Sequence, residues 1–235
     1  MNEVFLSIDT SSPYSFVSVY KKGQFVSESF FGETSHNEEI DRLVKAVAAR
    51  AEIQFSELSG LILGSGPGSF TGLRISFAYM KGLAFALKLP LYQYSSIESC
   101  IYSFLAEPAN PVFCSISDAR RGEYFVSLQQ VQNDSVKAIR PTQILSVEQV
   151  LKVLKELDGQ KVLVNCSPGT GEEFSMIESR PLPQLSESIV QMHLHEAKFA
   201  GSENSFDLQK IAIIEPFYLR EVAAKTLKDR GITLT

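Results

Sequence analysis

The sequence is poor in the residues that most often carry metal, disulfide or nucleophilic chemistry. Its three cysteines, Cys100, Cys114 and Cys166, lie far apart, are odd in number and form no C-x-x-C pair. Neither a disulfide framework nor a zinc ribbon is indicated, and a reducing compartment fits. The three histidines are His36, His193 and His195. A two-histidine metal helix needs its second ligand four residues on, and that position after His36 is Ile40. His193 and His195 fall on different sides of a helix, so solvated or capping roles are expected. No Ser-His-Asp or Cys-His arrangement follows from such spacing, which leaves a protease reading without nucleophile or metal. Positive charge is also short: 22 Lys and Arg against 27 Asp and Glu, a net charge of −5. The basic residues are scattered apart from Lys225, Lys228 and Arg230, which argues against a large nucleic-acid footprint on this chain alone. Residues 1–30 lack a basic start followed by an apolar run, so no signal peptide is expected and the protein is read as cytoplasmic.

What is present is ample apolar sequence: 44% of 235 residues, enough for one large domain or two lobes. The most informative stretch begins at Gly64. Gly64, Gly66 and Gly68 follow a short apolar strand over 61–63, with Pro67 between the last two glycines. A Walker A loop would need Lys followed by Ser or Thr, and a dinucleotide fingerprint would need a third glycine where Ser69 and Thr71 stand. The remaining reading is a tight strand-to-helix turn, capped by Ser69 or Thr71, whose free N–H groups allow weak anion binding. In the helix over 73–89 the only charges are Arg74, Lys81 and Lys88, spaced by seven on one stripe. A helix apolar nearly all round needs cover on more than one side. Gly82, Ala78 and Ala86 permit a close neighbour, either from this chain or from a partner.

Periodicity assigns strands over 4–9, 15–20, 24–31, 61–63 and 91–94, with helices over 35–52 and 96–105. Ser35 and Glu38 make a capping-box pattern. The proline-containing run 107–111 breaks the chain, and the order then repeats: strands over 112–117, 123–131, 136–145 and 161–165, helices over 146–157 and 186–200. A turn at 168–171 and a helix stop at Gly201 complete this half. A duplicated β-β-β-α-β-α unit is an α/β design of two ribonuclease-H-like lobes, the architecture of the actin, sugar-kinase and Hsp70 (ASKHA) superfamily. The expected division is 1–106 and 107–205, with 206–235 returning to the first lobe. Asp9 and Asp118 each end a first strand, so Asp9, Thr10, Ser11 and Asp118 are candidates for a nucleotide cleft. The alternative for each aspartate is a turn cap.

The run Gly66, Pro67, Gly68, Ser69, Phe70, Thr71, Gly72, Leu73, Arg74 resembles the TsaB (YeaZ) family. Shorter resemblances lie in order along the chain: 8–11, 35–36, 81–84, 118–124 and 216–220. The resemblance implies the ASKHA fold and a part in making N6-threonylcarbamoyladenosine beside the anticodon of tRNAs that read codons beginning with A. It implies a non-catalytic subunit without cofactor or metal site. Catalysis would belong to the paralogue TsaD, with the ATPase TsaE joining, and tRNA would be met mainly through these partners. Pairing with TsaD would use the first-lobe helices. Arg42 and Ala46 on the first, and Arg74, Phe77, Ala78, Lys81, Gly82 and Phe85 on the second, are the candidate contacts. Without TsaD the same face is expected to close on a second copy. The competing function is an ATP-dependent small-molecule kinase or ATPase of the same fold.

Overall fold

A computed structural model describes residues 3–32, 36–105, 111–132, 135–157, 161–166, 172–174, 177–180, 183–197 and 205–219. The first sheet begins with a meander. Strands β1 (Val4–Asp9), β2 (Tyr14–Lys21) and β3 (Gln24–Phe31) pair antiparallel in sequence. Lys22 and Gly23 supply the positive φ values, 51° and 83°, that a two-residue hairpin turn requires. Helix α1 (His36–Arg50) leads to β4 (Gly60–Gly64), which pairs parallel with β1; α2 (Phe70–Leu87) then leads to β5 (Leu91–Tyr94), parallel to β4. After the short α3 (Ser96–Ser99) and a 3-10 turn (Cys100–Phe104), the design repeats. Strands β6 (Val112–Asp118), β7 (Glu123–Gln132) and β8 (Ser135–Ser146) form a second meander. Helix α4 (Val147–Glu156) precedes β9 (Lys161–Asn165), and β10 (Glu178–Arg180) closes the sheet. Both sheets have the order third, second, first, fourth, fifth strand. The same five-stranded α/β unit is thus realised twice, as the expected two-lobed architecture requires.

Strands buried on both faces explain the near-continuous apolar runs of β1 and β4. Val4, Leu6, Ile8, Leu61 and Leu63 face α1 and α2, joining Leu43, Val47, Phe77 and Met80 in one core. Phe5 and Ile62 face the other way, toward Ile189 and Val190 of α5 (Leu185–Ala197). This corrects the expected boundaries at 106 and 205. Helix α5 lies on the first sheet, where Ser7 Oγ donates to Ser186 O at 2.8 Å and Ser27 donates to Glu187. In exchange, Ile97, Cys100 and Ile101 pack on the second sheet against Phe113, Phe125, Val162 and Val164. Chain order does not tell a helix which of two sheets to cover; the apolar faces left open by α1, α2 and α4 do.

The last described segment returns to α2. Asp207 caps α6 (Leu208–Ile213), its Oδ1 accepting from the N–H groups of Gln209 at 2.9 Å and Lys210 at 3.1 Å. Ile211 is buried in the first core, and Lys81 Nζ donates to Ala212 O at 3.0 Å. His193 departs from the expected solvated role: it is 4% exposed, ringed by Phe5, Tyr92 and Tyr94, with Tyr94 Oη 2.8 Å from Nδ1. Burial holds its pKa down at about 4. Ser35, the 168–171 turn, Gly201, Arg220 and the basic residues Lys225, Lys228 and Arg230 lie outside the described residues.

Candidate functional site

The end of β1 and the glycine-rich loop fit together by close backbone approach. A Cβ on Gly64 would stand 1.8 Å from Asp9 Oδ2, and one on Gly68 would stand 2.0 Å from the Ser11 carbonyl oxygen. Only glycine lets these segments meet. Ser69 N–H donates to Ser11 O at 2.7 Å, and Ser96 Oγ accepts from Gly66 N–H at 3.0 Å. Of the two expected caps, Ser69 is the one used: its hydroxyl accepts from Gly72 N–H at 3.2 Å.

The loop closes over the first-strand aspartate. Asp9, Thr10 and Ser11 are 0%, 0% and 6% exposed. Asp9 Oδ1 accepts from Ser11 N–H at 2.9 Å and Ser11 O–H at 2.6 Å, while Oδ2 is buried without a hydrogen-bond partner. Burial raises its pKa above the ordinary carboxyl value; hydrogen bonding from the Ser11 side chain offsets this in part. Thr10 Oγ1 donates to Ser76 Oγ at 2.8 Å instead of facing solvent. Asp118 differs: its side chain is 44% exposed, and Oδ1 accepts from Arg120 N–H at 2.7 Å. The two aspartates therefore do not form an open pair in this state, and the glycines serve a steric fit where the sequence also allowed anion binding. Among the described residues no group of three or more His, Cys, Asp and Glu can hold a metal ion.

Directly beyond the loop, α2 buries Leu73, Ser76, Phe77, Met80 and Ala84 toward the sheet. Phe77 is 4% exposed and belongs to the chain's own core, which corrects its place among the partner-facing candidates. It sits one turn from Leu73 and Met80, a geometry the apolar excess of this helix masked. The opposite side presents Thr71, Arg74, Ala78, Gly82 and Phe85 as one exposed stripe. Phe85 is 61% exposed, and a Cβ on Gly82 would meet nothing within 4 Å. Arg42 is exposed, pairing with Glu39 at 2.6 Å, while Ala46 is half-buried on α1. Lys81 is drawn aside to α6.

The described residues cover the flanks of α2 but not this stripe. On one flank Tyr79 Oη reaches Asp41 Oδ1 of α1 at 3.3 Å. On the other, the Tyr218 ring lies 5.3 Å from Phe70, a contact that residue types alone did not announce although both belong to recognisable motifs. The Arg74 guanidinium lies 3.8 Å over the Phe70 ring, which holds it flat. Phe70, Thr71, Arg74, Ile75, Ala78 and Tyr79 line an open groove of about 520 Å³. Ile213 at the end of α6, which the sequence does not single out, is 77% exposed. No helix among the described residues is long and apolar enough to cross a membrane.

Residues 32–227 match a family model described as TsaD, tRNA N6-adenosine threonylcarbamoyltransferase. The chain is similar to the tRNA threonylcarbamoyladenosine biosynthesis protein TsaB of Haemophilus influenzae, 26% identical over 97% of this chain and 99% of the relative. It is 26% identical to the Escherichia coli protein of the same name, over 96% of this chain and 98% of the relative. In fold it is similar to a Pseudomonas aeruginosa protein described as resembling peptidase YeaZ, at a TM-score of 0.74 and 22% identity, covering 93% of this chain and all of that one.

Proposed function

We infer the function from the premise that this chain belongs to the TsaD tRNA N6-adenosine threonylcarbamoyltransferase family and, within it, stands with the TsaB (YeaZ) proteins. It is an accessory subunit in the synthesis of N6-threonylcarbamoyladenosine in tRNA, and it does no chemistry of its own. It supports a catalytic TsaD, with TsaE joining the assembly. The single observation that carries this reading is the stripe of α2 that no described residue covers, from Thr71 to Phe85, apolar at its centre and bordered by Arg74.

The physical case has two parts. An apolar stripe beside a groove is the surface a second helix pair covers, and a standard interface of roughly 800 Å² per partner suits two helices against two. The buried Asp9 loop leaves the first-strand carboxylate without access to a nucleotide, which weighs against a kinase or ATPase. With a net charge of −5, this chain leaves most of the tRNA surface to its partners. In the absence of TsaD, a second copy covers the same stripe.

The test is an omission assay: unmodified tRNA, threonylcarbamoyl-adenylate, TsaD and TsaE, with and without this chain. Modification is expected only with the chain present, and ATP hydrolysis by the chain alone is expected to stay at background. Modification at an equal rate without it, or ATP hydrolysis by the isolated chain that Asp9→Ala abolishes, defeats the reading.

A further inference from the structure

The two first-strand turns have opposite fates. The turn after β1 is sealed under the glycine-rich loop, while the turn after β6 buries Ala119 but exposes Arg120 and Arg121. The backbone there is costly. Arg120, Arg121 and Gly122 have φ values of 67°, 62° and 73°, three successive residues in the left-handed region. Glu123 N–H donates to Arg120 O at 3.2 Å and Ala119 N–H donates to Glu123 O at 3.0 Å, which closes the turn. Asparagine and glycine occupy such hairpin positions with little strain; arginine does not. Neither arginine serves the core, since both are exposed and the Arg120 side chain is 82% so.

We propose that Arg120 and Arg121 form a phosphate-contact site for the tRNA backbone in the assembled complex; this rests on the function inferred above. A strained backbone retained at two exposed arginines, of which only Arg120 has a partner among the described residues, Asp118, points to a role outside the fold. Guanidinium forks suit phosphodiester oxygens, and a rigid turn presents two of them side by side. Asp118 and Glu123 flank the pair, so the site acts through two directional donors and not through a broad positive field. Asp118 Oδ1 accepts from Arg120 N–H and Oδ2 stands 3.8 Å from Arg120 Nη1, which fixes the turn and orients that arginine. This gives an acidic chain a local point of contact with RNA, while its partners hold the rest.

The test uses the double variant Arg120→Asn/Arg121→Asn in the complex with TsaD and TsaE. Asparagine accepts left-handed φ, so the variant's melting temperature is expected to equal or exceed the wild type's. Its affinity for unmodified tRNA is expected to fall several-fold. The slope of log affinity against log salt is expected to be shallower by about 1 to 2, the counterions of one or two phosphates. Unchanged tRNA affinity and slope in an assembled complex overturns the proposal. So does a variant that binds tRNA normally but loses binding of inorganic pyrophosphate or ATP, since the arginines would then serve a free nucleotide. If the wild-type chain fails to assemble with TsaD at all, the inferred function itself falls and takes this site with it.

Discussion

Gly82→Phe separates a partner face from a core face by a single substitution. In the isolated chain a Cβ at residue 82 meets nothing within 4 Å, so the ring enters solvent. Glycine in a helix interior is about 1 kcal/mol worse than alanine and phenylalanine about half that, so the monomer gains roughly 0.5 kcal/mol. For a chain of this size that is a rise of about 1–2 °C in melting temperature. In the proposed complex the same ring would stand where the partner's helix approaches. Overpacking there costs about 1–3 kcal/mol or more, which weakens binding by roughly 5- to 150-fold at least. Thermal unfolding of the isolated chain and calorimetric titration with TsaD measure the two halves, with Gly82→Ala as the control that stabilises the monomer and disturbs pairing less. A melting temperature that drops by many degrees, or an affinity for TsaD that does not change, refutes the reasoning.

Gly68→Ala is expected to do the reverse: its Cβ would meet the Ser11 carbonyl oxygen at 2.0 Å, and the monomer is expected to lose at least about 2 kcal/mol in denaturant unfolding. Asp9→Asn tests the buried carboxyl. Because burial raises its pKa, the folded state keeps a proton that the unfolded chain has lost, so stability falls as pH rises from the ordinary value near 3.8 to the raised one and stays flat above. The variant is therefore expected to be more stable than wild type at neutral pH, with the gain vanishing in acid. His193 acts with the opposite sign: between its ordinary value near 6.5 and about 4, the unfolded chain binds a proton that the fold refuses, and stability falls as pH falls. His193→Phe is expected to flatten that slope in acid denaturation, at a cost at pH 7 because Tyr94 Oη loses its partner.

Most of the strand order was legible because β1, β4, β6 and β9 are apolar runs cut off by glycine, proline or polar turns. The strand β10, three polar residues long, gave no such signal. The exchange between sheets of α5 and of the segment Ser96–Phe104 was not legible, since the apolar residues of each would suit either sheet. Nor was the role of the glycine loop. Glycines that admit an anion and glycines that admit another backbone look alike in sequence, and only the approach of Gly68 to Ser11 distinguishes them. On α2 the near-uniform apolarity hides which residues point inward, so the sequence does not separate Phe77, which is buried, from Phe85, the most exposed large apolar side chain of the helix. The cap at Ser146 illustrates a subtler loss: Gln149, not Glu, completes its box.

The most direct measurement is sedimentation of this chain alone, of TsaD from its own organism alone, and of the two mixed at equal concentration. A one-to-one complex, lost when Gly82 is replaced by phenylalanine in a chain that still melts cooperatively, is the predicted result. A mixture that sediments as the sum of its separate components contradicts the partner-subunit account.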